Sequence, residues 1–186
     1  MLAMNTLSIT VLGGLMPITL EMPSEKYWDS YKLAFPGIDS EGDVTGMNWD
    51  GESSPEKYFQ DALDMKEGRN LGDLVPCTNF WIIANEKYVG RMSIRHELND
   101  WLRTYGGHIG YEVIESERKK GYATKALKLA IEYAKSELLL KSVMLTCDDE
   151  NIASIRTIEK NHGVLIEKKH AHGRISRYYS ITLTAE

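Results

Sequence analysis

The densest chemistry in this sequence is Arg118-Lys119-Lys120-Gly121-Tyr122-Ala123-Thr124. An alternating apolar run, 108–114, precedes it, and a helix-patterned run to about Leu138 follows, so the order is strand, basic glycine turn, helix N-terminus. A helix N-terminus presents backbone N–H groups without intrahelical partners, at the positive end of the macrodipole. Phosphate is the usual guest there. Gly121 lets the backbone approach such a guest with no Cβ in the way. Arg118, Lys119 and Lys120 surround it with positive charge. The stretch reads as a pyrophosphate cradle. A solvated turn ahead of a helix has the same composition, and the flanking pattern is what favours the cradle.

The following helix has Ala123, Ala126, Leu127, Ala130, Ile131, Ala134 and Leu138 on a single face, with Lys125, Lys128, Glu132 and Lys135 outside. Residues 141–147 then read as a strand. Strand, helix and strand over 108–147 predict a parallel pair with a right-handed crossover. Ligands gather at the carboxyl ends of the strands in such units, where the basic turn lies.

Other elements follow from punctuation. Residues 15–22 read as a first strand, which Pro17 confines to a sheet edge or a strand start. Ser24 is a candidate N-cap for a short helix with Tyr27, Tyr31, Leu33 and Ala34, ended by Pro36-Gly37. A long acidic loop, 38–53, carries Asp39, Glu41, Asp43, Asp50 and Glu52 around Trp49. Ser54-Pro55 supplies the cap and first position of a helix to about Glu67. Residues 79–84 and 88–96 form a hairpin, with Gly90 marking a bulge. After a connection over 97–105, Gly106-Gly107 opens the strand 108–114, the third of three consecutive antiparallel strands. A helix from 151 to about 161, with Ile152, Ile155 and Ile158 on its apolar side, ends before Gly163. A closing hairpin, 164–168 with 176–183, turns near His172-Gly173.

The 186 residues fit one domain over 1–186, with 1–14 as an extension; Met4 and Met16 are alternative starts. A net charge of -5 disfavours a nucleic-acid partner. Cys77 and Cys147 form neither a disulfide framework nor a zinc pattern, and suit a reducing cytoplasm. The acidic loop lacks calcium-site spacing, so no metal is expected. Residues 1–20 have no Lys or Arg and are broken by Asn5, Gly13, Gly14 and Pro17, which fits neither a membrane span nor a signal peptide.

The order of elements, with Arg118-x-x-Gly121-x-Ala123, resembles the GNAT superfamily of acyl-CoA-dependent N-acetyltransferases, whose signature is Arg/Gln-x-x-Gly-x-Gly/Ala after the fourth strand. Gly107-His108-Ile109-Gly110-Tyr111-Glu112 and Asn151-Ile152-Ala153-Ser154-Ile155-Arg156, through Glu159-Lys160-Asn161, look like the same core. The resemblance covers about 79–183; residues 1–78 match only in the order of elements. It implies an α+β fold: a single GNAT-like domain whose central, mixed, mostly antiparallel sheet has about seven strands and is flanked by about four helices. The fourth and fifth strands (108–114 and 141–147) would be a splayed parallel pair.

That resemblance also implies a mechanism. Acetyl-CoA would be the co-substrate, its pantetheine arm entering the wedge and pairing with backbone groups near Glu112, Val113 and Ile114. Backbone N–H groups of Lys119, Lys120, Gly121, Tyr122, Ala123 and Thr124, beside Arg118, would hold the pyrophosphate. Asn151 and Ser154 would approach the thioester end. A neutral amine, on a small molecule or a peptide, would attack the thioester directly, with a fourth-strand N–H stabilising the oxyanion by about 3–4 kcal/mol. The protein would be a monomer or homodimer.

Many members place a Tyr in the last helix to protonate the departing thiolate; here that position is Ile158, so the acid is another residue, a water, or unnecessary. Glu112 is the first candidate base, with a solvent-facing carboxylate as the alternative. His96 and His108 follow, each also readable as structural. Cys147 reads as an inert thiol and Asp148 as a turn residue. Trp49, Trp101, Tyr105, Tyr178 and Tyr179 line a pocket or belong to the core. Lys168, Lys169, His170, Arg174 and Arg177 give the closing hairpin a basic face. A non-catalytic acyl-CoA-binding or sensor module is the alternative function. A P-loop phosphotransferase is disfavoured, since Gly-x-x-x-x-Gly-Lys-Ser/Thr does not occur.

Overall fold

The computed structural model describes residues 7–9, 17–34, 47–171 and 173–183. In chain order these form β1 (Leu7–Ile9), β2 (Ile18–Glu21), α1 (Trp28–Ala34), α2 (Pro55–Glu67), β3 (Cys77–Ala84), β4 (Lys87–Arg95), α3 (Asp100–Thr104), β5 (Ile109–Val113), α4 (Tyr122–Ser136), β6 (Ser142–Asp148), α5 (Ile152–Lys160), β7 (Val164–Ala171) and β8 (Arg174–Thr182). The fourth and fifth strands of the sequence reading are β5 and β6. The count rises by one because part of the expected extension, β1, pairs with β2, Leu7 opposite Leu20. Of the acidic loop, 38–46 lies outside the described residues, as does His172.

The strands make two antiparallel sheets, β1-β2-β3-β4-β5 and β6-β8-β7. In place of a parallel β5–β6 ladder there is one isolated bridge, Gly107 with Leu145, in antiparallel sense. Around it the His108 N–H donates to the Met144 carbonyl at 2.7 Å, and the Gly106 N–H to Thr146 Oγ1 at 3.0 Å. The local geometry explains why the pairing stops. Gly106 and Gly107 have φ of 102° and 67°, which bend the chain as it enters β5. A Cβ on Gly107 would lie 2.3 Å from the Met144 oxygen, so only glycine permits this approach. Beyond this clasp the two strands share no ladder bond, and the splay divides the expected mixed sheet in two.

Period-two alternation sorts the core. On one face Phe80, Ile82, Met92, Ile94, Ile109 and Val113 pack with Ala126, Leu127, Ala130 and Ala134 of α4. Full burial of a side chain such as Leu127 contributes about 1.5–3 kcal/mol. On the other face Trp81, Ile83 and Tyr88 pack with Trp28 and Tyr31 of α1 and Tyr58 of α2. Ser54 caps α2, its Oγ accepting from the Lys57 N–H at 3.3 Å. Ser24 makes no side-chain cap. α3 forms inside the expected connection because Asn99 Oδ1 accepts the Leu102 N–H at 2.9 Å.

Candidate active site

The entrance of α4 is open. Gly121 is its N-cap with φ 80°, no side chain caps the first turn, and no acidic residue lies there. A Cβ at 121 would touch nothing within 4 Å, so the glycine serves the left-handed backbone, which L side chains rarely adopt. The flanking charges are partly engaged. Arg118 Nε donates to the Val113 carbonyl at 3.0 Å, and Lys120 pairs with Glu117 at 2.8 Å. Arg118, Lys119 and Lys120 are all exposed.

β5 presents its free edge to the gap. The Arg95 N–H bonds the His108 carbonyl, and the Ile114 N–H bonds the Val89 carbonyl. Antiparallel alternation then turns the N–H and C=O groups of Ile109, Tyr111 and Val113 away from β4, toward the gap. Of the three residues expected to meet a pantetheine arm, Val113 has its N–H on that edge; those of Glu112 and Ile114 face β4. Tyr111 joins Val113 there, and the parity of the strand is the signal that singles it out.

The three base candidates are not brought together. Glu112 lies on the α1/α2 face, its Oε2 accepting from Arg91 Nε at 3.2 Å and Nη2 at 3.1 Å. Among the described residues none donates to its Oε1, and the side chain is 34% exposed. Arg91 is buried and also donates to the Met47 carbonyl at 3.3 Å and to Asn48 Oδ1. His108 is part of the clasp: its Nδ1 accepts the Met144 N–H at 3.0 Å. Burial, then Arg103 and Arg95, push its pKa down to about 4. The Nδ1 lone pair of this ring is thereby taken up by the Met144 N–H. His96 Nε2 shares a 2.8 Å hydrogen bond with Thr78 Oγ1, which meets the Tyr133 hydroxyl at 3.2 Å. Burial and Lys66 lower the His96 pKa.

At the other wall Asn151 Oδ1 caps α5, accepting the Ser154 N–H at 3.0 Å. Ile158, one turn beyond Ser154, is 1% exposed and belongs to the core. Burial pushes the Cys147 thiol up to about 11, which fits an inert thiol. Among the described residues the buried Tyr111 hydroxyl meets no partner within normal hydrogen-bond geometry, although the Ser154 and Thr157 side chains stand close enough to act on it. It faces Ser154, Thr157 and Cys147, and burial pushes its pKa up to about 12. Leaving such a group unpaired costs about 1–3 kcal/mol.

The aromatic residues do not form one pocket. Trp49 packs edge-on against Trp28 at 5.1 Å, the Tyr178 hydroxyl donates to the Thr104 carbonyl at 2.7 Å, and the Tyr179 hydroxyl donates to Glu159 at 3.1 Å. Trp101 is exposed, tilted against Tyr105 at 5.6 Å. Asp50 spends its Oδ1 on the Glu52 and Ser53 N–H groups. On the Arg91 side a recess of about 10 Å³ is lined in part by Met47, Asn79, Trp81 and Arg91.

Residues 19–164, most of the chain, match the acetyltransferase (GNAT) domain family. The chain belongs to the GNAT acetyltransferase family. Over 111 residues it is 24% identical to "Probable N-acetyltransferase YjcK" of Bacillus subtilis (strain 168). That match covers 60% of this chain and 56% of the relative, so the chain spans about half the length of the curated protein it matches. The GNAT fold recurs in the microcin C7 self-immunity acetyltransferase MccE, solved with acetyl-CoA and AMP (TM-score 0.60, 18% identity, 89% of this chain and 92% of that one). It recurs in RimL, a ribosomal L7/L12 α-N-protein acetyltransferase solved with coenzyme A (TM-score 0.62, 14% identity, 91% and 98%). A GNAT-family acetyltransferase from Bacillus anthracis also superimposes (TM-score 0.57, 20% identity, 91% and 97%). Among the described residues no helix is long and apolar enough to cross a membrane.

Proposed function

We propose that this GNAT chain transfers acetyl directly from acetyl-CoA to a primary amine of a small molecule or peptide. The observation that carries the reading is the uncapped entrance of α4, with Gly121 at φ 80°, beside two strands that part after one bridge. The residues fit the co-substrate. The N–H groups from Lys119 to Thr124, with Arg118 beside them, hold its pyrophosphate. The edge of β5 at Tyr111 and Val113 pairs with its pantetheine, and Asn151 and Ser154 border its thioester end. Bound there, it supplies an activated acetyl group.

A β5 N–H on the open edge stabilises the oxyanion that develops on the acetyl oxygen. Much of the acceleration comes from holding amine and acetyl group together. Glu112 offers Oε1 as base while Arg91 fixes Oε2; the acceptor amine arrives from the α1/α2 face. The chain works in the cytoplasm, without a metal.

A screen of small amines, polyamines, aminoglycosides and peptide N-termini for acetyl-CoA-dependent thiol release tests this. One or more acceptors should turn over. Ile158 in the core favours a second reading, a non-catalytic acyl-CoA-binding module. Tight acetyl-CoA binding with no transfer to any acceptor class would establish it instead.

A further inference from the structure

We propose that Asn48 selects the acceptor by donating a hydrogen bond to an oxygen carried next to the reacting amine, a role resting on the acetyl-transfer reading above. Arg91 is buried, and its guanidinium can only donate. On one side its Nε and Nη2 hold Glu112 Oε2; on the other its Nη1 donates to the Met47 carbonyl and to Asn48 Oδ1. A donor-only partner fixes which end of the amide it meets, so Asn48 turns its oxygen to Arg91 and its Nδ2 away. Among the described residues nothing accepts from that Nδ2. Asn48 and Glu112 are both half-exposed, with the buried Arg91 between them. The backbone around Asn48 is held as well. The Tyr58 hydroxyl donates to the Met47 carbonyl at 3.5 Å, the Trp49 N–H donates to the Tyr31 hydroxyl at 3.3 Å, and the Trp49 ring packs against Trp28. Asn48 therefore stands between two anchored neighbours.

One guanidinium thus brings together an acceptor for the ammonium, Glu112 Oε1, and a neutral donor, Asn48 Nδ2. The ligand that satisfies both carries nitrogen and oxygen on adjacent carbons. An α-amino carbonyl, as at a peptide N-terminus, is one source of that unit, and a vicinal amino alcohol is the other. An amine with only alkyl neighbours displaces water from Asn48 Nδ2 and leaves it unpaired, which counts against that acceptor. In the transfer the ammonium gives one proton to Glu112 Oε1, which passes it to solvent. The C–N bond forms as the C–S bond breaks, and the electron pair of that bond stays on sulfur. Sulfur takes up the proton that the new amide nitrogen sheds through solvent. Asn48 gives up no proton.

Three acceptors of one size test the role: alaninamide, alaninol and sec-butylamine, each turned over with acetyl-CoA by wild type and by Asn48→Asp. Aspartate keeps an oxygen on Arg91 and removes the Nδ2 donor. In the wild type kcat/KM for the amide, the alcohol or both should exceed that for sec-butylamine, and the preferred one names the source of the oxygen. In Asn48→Asp that ratio should fall about tenfold. Comparing ratios cancels the basicity of each amine and any gain all three share from the new negative charge. Asn48→Leu, which also drops the oxygen, should flatten the ratio in the same way. Acetyl-CoA should bind the variants with wild-type affinity in calorimetry, which reports an intact fold. Equal wild-type kcat/KM for the three free amines overturns the role of Asn48 and leaves acetyl transfer standing. So does an unchanged ratio in Asn48→Asp, or turnover confined to amines without an adjacent oxygen. An acetyl-CoA complex that transfers to no amine overturns both.

Discussion

The two faces of the five-stranded sheet are built from different parts of the chain. Toward the gap between β5 and β6 the working groups are backbone: the uncapped N–H groups of α4, the free edge of β5 and a clasp of amides at 106–108. Toward α1 and α2 they are side chains: stacked rings such as Tyr31 on Trp81 at 4.8 Å, and the buried Arg91 holding Glu112. Backbone sites depend on glycine, turn and helix phase, which leave marks at fixed spacing. Side-chain sites depend on which distant residues meet.

The largest test of that contrast is Gly121→Asp. A carboxylate about 4 Å from a phosphate charge costs about 4 kcal/mol at a surface-like effective dielectric, roughly three decades of affinity. Within the protein itself a Cβ there meets nothing within 4 Å. Gly121→Asn, of the same shape and tolerant of the left-handed backbone, should keep most acetyl-CoA affinity in calorimetry. Equal losses in the two variants would move the explanation from charge to backbone.

Next in size is Gly107→Ala. It combines left-handed strain of about 1–2 kcal/mol with an overlap that forces the clasp apart, and should lower unfolding free energy by about 2–3 kcal/mol. A denaturant midpoint equal to wild type would show that the clasp does not depend on close approach at 107.

The contrast also explains what the sequence told. Gly121 and the apolar phase of 123–138 were enough to place the entrance of α4, because both are local. The splay was legible only through resemblance, and its cause, the bend at Gly106-Gly107 against Met144, joins residues far apart in the chain. His108 was readable as a base or as a structural residue; its bond with the Met144 N–H joins residues far apart in the chain. Glu112 was visible, Arg91 as its partner was not. The sequence reading left Trp49 and Tyr178 between a pocket and the core. Their actual neighbours, Trp28 and Thr104, belong to separate packing sites.

His108 sharpens the comparison through pH. Its pKa is about 4 in the folded protein, against about 6.5 unfolded. The contribution to stability is therefore full above about pH 6.5, declines as pH falls, and is lost by about pH 4. Solvent reaches the ring, so the discounted size is about 1–2 kcal/mol. The stability gap between wild type and His108→Gln should shrink by that amount on acidification. A constant gap would mean that the ring does not titrate with the clasp.

The smallest expected effect discriminates best between backbone and side-chain binding. Lys120 is exposed and already paired with Glu117 at 2.8 Å, so its charge reaches a bound phosphate only in part. Removing it by Lys120→Ala should bring only about a two- to fivefold loss of acetyl-CoA affinity. Raising the salt concentration should shrink even that difference, because exposed charges are screened within about a Debye length. The amides at the entrance of α4 are fixed dipoles with no counter-ion to release, and their share should persist. If Lys120→Ala instead matched the loss in Gly121→Asp, the pyrophosphate would be held by the lysine, and the backbone would be only its scaffold.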